Sequence, residues 1–433
     1  MKILFFPNDL GGGFGHISRC IALAETLCQR GHDVAFALSG LHSEKVAAAG
    51  YKTFSLTSPQ QSARPDTNGP AFLYIPTMAY QVVRDGFDNP KKVELSISEA
   101  LKIINIIKPD LLIGDGYLLT WLLGKQTGIP VVQIVKSIAH PKPEQMVWWE
   151  NKPDDLIEPD PLPVFNPVIN RLSLPEITCA EQLLSGDLLL LPSICVLDSM
   201  DSLPDQTYYV GGLIRKPVSS NTLPDWFSEL NDSHPIIYVT VGGAAGHGGG
   251  HGFFKMIVET FEKIDCHVVV STGGKVDSRS IGRMPKNIRL VNWVPGPEMI
   301  KRSDLVVFHG GYTRMEILMN GLPSIIIPFH SEQEYYGRIM EKAGIAKVVH
   351  YSKEPYKCKK HYWKGGNRWR KTKPFTLHIR SNMTLRPETL RDAVEDILSN
   401  KKIRLRTAAI RKDIENAGGC DKAINLIKNQ LNV

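Results

Sequence analysis

Short, unbroken apolar runs punctuate both halves of the chain: KILFF, DVAFAL, DLLIG and PVVQIV first, then IIYVTV, HVVVST, IRLVNW, DLVVF and SIIIP. Continuous rather than alternating hydrophobicity predicts strands buried on both faces, as in parallel sheets covered by helices. Helix-period segments lie between the runs. From Ile17 onward, Ile17, Cys20, Ile21, Ala24, Leu27 and Cys28 share one face, and Gly31 marks the stop. Strand–helix alternation in two successive blocks predicts the α/β class, with two doubly wound, Rossmann-like domains. Between Gly212 and Pro235, the stretch GLIRKPVSSNTLPDWFSELNDSHP has neither period and is rich in Pro, Ser and Asn. It reads as a linker, so the expected division is a domain over 1–213, a linker over 214–235 and a second domain over 236–400. Residues 57–69 and 141–175, the latter with the Trp148/Trp149 pair, read as loops or short helices over a cleft.

Composition changes this picture little. At 433 residues and 42% hydrophobic content the chain can fill two cores. Its seven cysteines are scattered and never spaced CxxC, which argues against a disulfide framework or a zinc site and for a reducing, cytoplasmic setting. The opening ILFF is too short for a signal peptide, and no apolar run approaches the roughly 18 residues of a spanning helix. The expectation is a cytoplasmic protein, soluble or peripheral at the inner membrane surface. Charge is more informative. The net +7 is concentrated between Lys353 and Lys373, where nine Lys/Arg face Glu354 alone, inside a basic insert over 351–385. Its interleaved aromatics, Tyr356, Tyr362, Trp363 and Trp369, suit contact with an anionic membrane surface or a phosphorylated acceptor; a solvated hairpin is the plain alternative. The rest of the chain is near neutral, which argues against a general nucleic-acid surface.

Candidate chemistry begins at GGGFGH, Gly11 to His16. Gly11 and Gly13 match the first two glycines of a dinucleotide fingerprint, but His16 stands where the third belongs and no acidic residue ends the second strand. What remains is a glycine turn, Gly13, Phe14 and Gly15, admitting a ligand to a histidine at a helix N-terminus, where the dipole favours the neutral imidazole of a general base. Asp115, at the end of DLLIGD, could orient that ring. The plain alternatives are a packed or capping histidine and an Asx turn. In GGAAGHGGGHG, His247 and His251 stand four apart, but such dense glycine makes metal-ligand geometry unassured, so no metal is expected.

The second half carries VNWVPGPEMIKRSDLVVFHGGYTRMEILMNGLPSIIIPFHSEQEYYGR. Trp293, Pro295, His309-Gly310-Gly311, Glu316, Gly321 with Pro323, and Glu332-Gln333 resemble the donor box of GT-B nucleotide-sugar glycosyltransferases, in the UDP-glycosyltransferase and bacterial macrolide, family 28-like branch. The opening glycine loop and His16 resemble the same group. The resemblance implies that Trp293 stacks on the nucleobase and that Gly242, Gly243, His309, Gly310 and Gly311 meet the diphosphate. It further implies that Glu316, beside Thr313, holds the ribose and that Glu332 and Gln333 bind sugar hydroxyls. Each has a plain alternative: a core tryptophan, a strand-to-helix turn, a TxxE capping box at Thr313 and Glu316, or a solvated helix start. Arg314 stands where the group has a small residue, Glu332-Gln333 where it commonly has Asp-Gln, and Gly296 where it often has Gln.

The function so implied is inverting transfer of a sugar from a nucleotide diphosphate, UDP or dTDP, to a hydroxyl of a small-molecule or lipid acceptor. His16 is the base and Asp115 its partner, with no cofactor beyond the nucleotide-sugar co-substrate. The helical region 401–433 is expected to pack back on the first domain, as in relatives. A nucleotide-sugar hydrolase or epimerase of the same fold, or a non-catalytic binding subunit, are the alternatives.

Overall fold

The computed structural model describes the chain apart from residues 11–12, 40–41, 60–71, 147–154, 216–222, 231–232, 243–249, 275, 351–356, 362–374, 382–384 and 432–433. Trp148, Trp149, Gly243, His247 and most of the basic run 353–373 therefore lie outside the described residues. In chain order the first half supplies β1 (Lys2–Pro7), β2 (Asp33–Leu38), β3 (Lys52–Ser55), β4 (Phe72–Tyr74), β5 (Leu111–Asp115), β6 (Val131–Ile134), β7 (Leu188–Leu191) and β8 (Thr207–Tyr209). The second half supplies β9 (Ile236–Thr240), β10 (His267–Ser271), β11 (Ile288–Val291), β12 (Leu305–Phe308), β13 (Ser324–Ile326), β14 (Ala346–Val348), β15 (Lys357–His361) and β16 (Leu377–Ser381).

Two parallel sheets result, ordered β3-β2-β1-β5-β6-β7-β8 and β11-β10-β9-β12-β13-β14. Every apolar run named above is a strand of one of them, and all but the edge strand β11, where only Ile288 is buried, are buried along most of their length because helices cover both faces. The first helix, Gly15–Gln29, buries Ile17, Cys20, Ile21, Ala24 and Leu27 against the first sheet and closes before Gly31, whose φ is +82°. Each sheet reverses its strand order once, between β1 and β5 and between β9 and β12. Ligands of open α/β sheets bind at such switch points, beyond the carboxyl ends of the strands. His16 follows β1 and Asp115 ends β5, while Gly242 follows β9 and His309 follows β12. The connectivity alone thus brings two separated segments together in each half.

Three features tie the halves to each other. Within the interdomain stretch, Asp225–Glu229 forms a short 3-10 helix whose Trp226 and Phe227 pack on the second half. The helix Lys401–Asn416 also stays on that half, through Ile414. After the turn at Gly418 and Gly419, the helix Gly419–Leu431 crosses to the first half, where Ala423, Ile424 and Ile427 join Ile17 and Ile21 in one core and Arg30 pairs with Asp421 at 2.6 Å. The third tie is a small antiparallel sheet, β15-β16-β4. It places His378 opposite Tyr74 and Ile379 opposite Leu73. Part of the basic insert is therefore a hairpin whose inner strand is buried rather than solvated. Among the described residues, no helix is long and apolar enough to cross a membrane.

Candidate active site

A cleft of about 460 Å³ separates the two sheets' carboxyl ends. His16 reaches it from the first turn of Gly15–Gln29 and Asp115 from the end of β5. Their side chains meet, with His16 Nδ1 2.6 Å from Asp115 Oδ1. Gly116 makes the approach feasible. It adopts φ +70°, and a Cβ there would stand 2.7 Å from His16 Cε1. Asp115 is fully buried, and Arg19, one turn beyond His16, holds it from the other side. Arg19 Nε donates to Asp115 Oδ2 at 2.8 Å and Nη2 to Oδ1 at 2.6 Å. Arg19 Nη2 also lies 3.0 Å from His16 Nδ1. An ionised carboxylate can only accept, so the shorter Asp115 contact assigns the His16 proton to Nδ1, and in the neutral ring Nε2 is the unprotonated nitrogen. Burial lowers the His16 pKa from its ordinary value, against the opposing pull of Asp115. Burial raises that of Asp115, but Arg19 and His16 outweigh it and keep the carboxylate ionised.

Across the cleft, His309 follows β12 and packs against the backbone of Gly242, whose φ of +65° and missing Cβ leave room for the ring. A Cβ on Gly242 would lie 2.7 Å from His309 Cε1. His309 Nδ1 is buried without a hydrogen-bond partner among the described residues, and burial depresses its pKa to about 4. A neutral imidazole with an unused nitrogen suits a ligand in the cleft. Gly311, Tyr312, Thr313, Arg314 and Glu316 also line the cleft from this side, whereas Gly310 serves the turn with φ +91° and does not face it. Arg314 is buried, its guanidinium 4.0 Å from the Tyr336 ring centroid, with Nε lacking a hydrogen-bond partner among the described residues. Thr313 begins the helix Thr313–Met319 and Tyr312 occupies the cap, with no side-chain cap bond, so the TxxE spacing does not form a capping box. Glu316 is thereby released from that role. Its pKa is pushed up to about 7, by burial first and by the nearby Glu298.

Glu332 stands in the first turn of the helix Ser331–Lys342 and forms an ion pair with Lys136, which follows β6. Burial opposes its ionisation, but Lys136, His330 and Arg314 bring its pKa down to about 2. Gln333 lines the cleft beside it, with Oε1 accepting the Phe329 amide at 2.8 Å. Trp293 is not a core residue: it is 71% exposed and lies outside the cleft lining. Gly13, Phe14 and Gly15 all line the cleft. His251 Nε2 lies 2.8 Å from Ser280 Oγ, while its counterpart His247 is outside the described residues.

Two functional neighbours escape sequence reasoning. Arg19 is legible in retrospect, because a charge three residues after His16 on a helix otherwise buried by its apolar face requires a buried counterion. Lys136 carries no comparable signal, since its partner Glu332 is 196 positions away.

Residues 251–361 match the glycosyltransferase family 28 C-terminal domain. An uncharacterized glycosyltransferase of Methanosarcina acetivorans is 25% identical over 376 residues, covering 82% of this chain and 87% of its own. The NDP-glycosyltransferase YjiC of Bacillus subtilis is 23% identical over 427 residues, covering 95% and 93%. Among solved structures, the spinosyn rhamnosyltransferase SpnG complexed with thymidine diphosphate superposes with a TM-score of 0.68 at 16% identity, covering 99% of this chain and all of its own. Two parallel α/β domains around a shared cleft have the GT-B fold of that solved structure, and the family 28 match over residues 251–361 together with the curated relatives marks the chain as a glycosyltransferase similar to that group.

Proposed function

We propose that the protein is an inverting glycosyltransferase that uses His16 as general base, with a UDP- or dTDP-sugar as donor and a hydroxyl of a small or lipid acceptor as nucleophile. The carrying observation is the His16–Asp115 contact at 2.6 Å, which leaves Nε2 unprotonated on a ring that lines the cleft. In the reaction, His16 Nε2 takes the acceptor's O–H proton while that oxygen attacks the anomeric carbon. The carbon–oxygen bond to the diphosphate breaks as the new one forms, and its electron pair leaves with the β-phosphate oxygen. Asp115 stabilises the imidazolium as it appears. Single displacement from the opposite face inverts the anomeric centre.

Donor binding is assigned to the second half. Gly242, with Gly243 beyond it, and the amide at Gly311 would receive the diphosphate, with His309 and Arg314 as further donors and Gly310 shaping the turn that presents them. These groups supply the leaving group with hydrogen bonds and positive charge, so the reading needs no resident cofactor or metal. Glu316 would hold the ribose and Trp293 the base, an exposed indole being suited to stacking. Glu332 and Gln333 would meet the sugar, with Lys136 beside them. That SpnG has been solved with thymidine diphosphate supports a nucleotide donor here.

Incubation with UDP- and dTDP-sugars, with and without alcohols and phenols, should give acceptor-dependent nucleotide release and a product of inverted anomeric configuration by NMR. Rapid release that acceptors do not alter would favour a hydrolase of the same fold, and retained configuration would exclude the base mechanism.

A further inference from the structure

The acceptor side of the cleft includes side chains from the wrong half of the molecule. β4 and β16 exchange their apolar residues between cores. Phe72 and Tyr74, from the first half's sequence, are buried in the core of the second sheet, beside Phe329 and Val349. Phe375, Leu377 and Ile379, from the second half's sequence, are buried in the core of the first. The segment is fastened there by backbone as well: Tyr80 Oη donates to the Thr376 carbonyl at 3.0 Å, and the Thr376 amide donates to the Ile157 carbonyl at 2.9 Å. Phe375 and Leu377 also line the cleft, next to Ile75, Met78, Val83 and Leu184.

We propose that this strap, Phe375–Ile379, is a specificity element of the acceptor pocket, with Phe375 and Leu377 forming the wall that selects an acceptor with an apolar body. The inference rests on the transferase reading above and adds to it the residues that choose the acceptor. Two observations carry it. The wall is apolar, and two polar residues that line the cleft with it are engaged within the protein. Gln81 Nε2 donates to the Gly116 carbonyl at 2.6 Å, and the Thr77 hydroxyl donates to Glu158 at 3.0 Å. A polyhydroxylated body in this position would lose water without gaining partners, which disfavours it. An apolar body loses nothing there, and needs only one hydroxyl directed at His16. Because the strap belongs to the donor-side half, acceptor choice is physically coupled to the placement of that half.

The test uses 4-alkylphenols of increasing chain length as probes, with the full chain and the variants Phe375→Ala, Leu377→Ala and the conservative Phe375→Leu. Binding is measured by calorimetry and transfer by product mass. For the wild type, affinity should rise with chain length, by up to roughly fourfold per methylene that reaches the wall. Phe375→Ala and Leu377→Ala should flatten that rise, lowering the affinity of the longest phenol about tenfold or more. Phe375→Leu should restore most of it, and the donor KM should stay within about twofold of wild type. No dependence on chain length in the wild type, or the same dependence in both alanine variants, overturns the proposal. A thermal melt of each variant separates loss of the wall from loss of the fold. Phenols that bind as expected but receive no sugar would count against the transferase reading and leave the strap's role in place.

Discussion

At the floor of the cleft a guanidinium and an imidazole share one carboxylate oxygen, since Asp115 Oδ1 is 2.6 Å from both Arg19 Nη2 and His16 Nδ1. The two charged partners act in opposite senses on His16. Asp115 raises the His16 pKa, and Arg19, by its charge and by engaging Asp115, lowers it. The Tyr312 ring lies 4.4 Å from the Arg19 guanidinium, which links the His16–Asp115 pair to the residue that caps the helix Thr313–Met319. Arg19 is thus a positioning residue. Arg19→Met removes the positive charge beside His16, so the acid limb of the kcat/KM profile should move to higher pH, because the imidazole then protonates more readily. A merely structural role would lower activity without moving that limb. Unpairing a buried carboxylate should also cost about 3–5 kcal/mol of stability in denaturant titration, and Arg19→Lys should recover part of both effects.

At the scale of elements, the strand carboxyl ends place the chemistry and the glycines after them admit it. Gly242 shows this most directly. Alanine there must hold φ near +65° and displace the His309 ring. With about 1–3 kcal/mol of local strain, Gly242→Ala should raise the KM for the nucleotide-sugar about tenfold while leaving acceptor binding unchanged. Equal effects on both substrates would place Gly242 outside the donor site. The same scale explains what could be read from the sequence. Runs such as IIYVTV and DLVVF announce themselves because both faces of each strand are buried locally. FLY at β4 and LHIRS at β16 do not, since each is stabilised by pairing with residues some 300 positions away. Asp115 and His309 are legible as motif residues at strand ends, and His16 and Glu316 in the first turns of the helices that follow. The strap and the Lys136–Glu332 pair depend on contacts between distant segments that no spacing encodes, and for Arg19 the spacing signals a buried counterion without naming Asp115.

Over the whole molecule, contacts between the halves form a continuous band. β4 and β16 exchange side chains between cores, Leu73 donates its amide to the Phe329 carbonyl at 2.9 Å, and Ile75 donates to Ser331 Oγ at 3.0 Å. Tyr336 Oη donates to the buried Asp198 at 3.0 Å. The helix Gly419–Leu431 closes the circuit at the opposite end. Neither half completes its core alone, so calorimetry should record one cooperative unfolding transition, and nucleotide should raise its midpoint. Two resolved transitions, with only one responding to nucleotide, would show the halves to be thermodynamically separate. The central claim, however, is chemical: a cleft formed by both halves serves a single base on the first. The most direct measurement is transfer by His16→Ala, at saturating donor and acceptor, alongside nucleotide affinity. Turnover should fall about a hundredfold or more, with nucleotide affinity unchanged and the wild type's loss of activity towards acid, below the ordinary histidine pKa, abolished. Wild-type turnover in the variant would contradict the account.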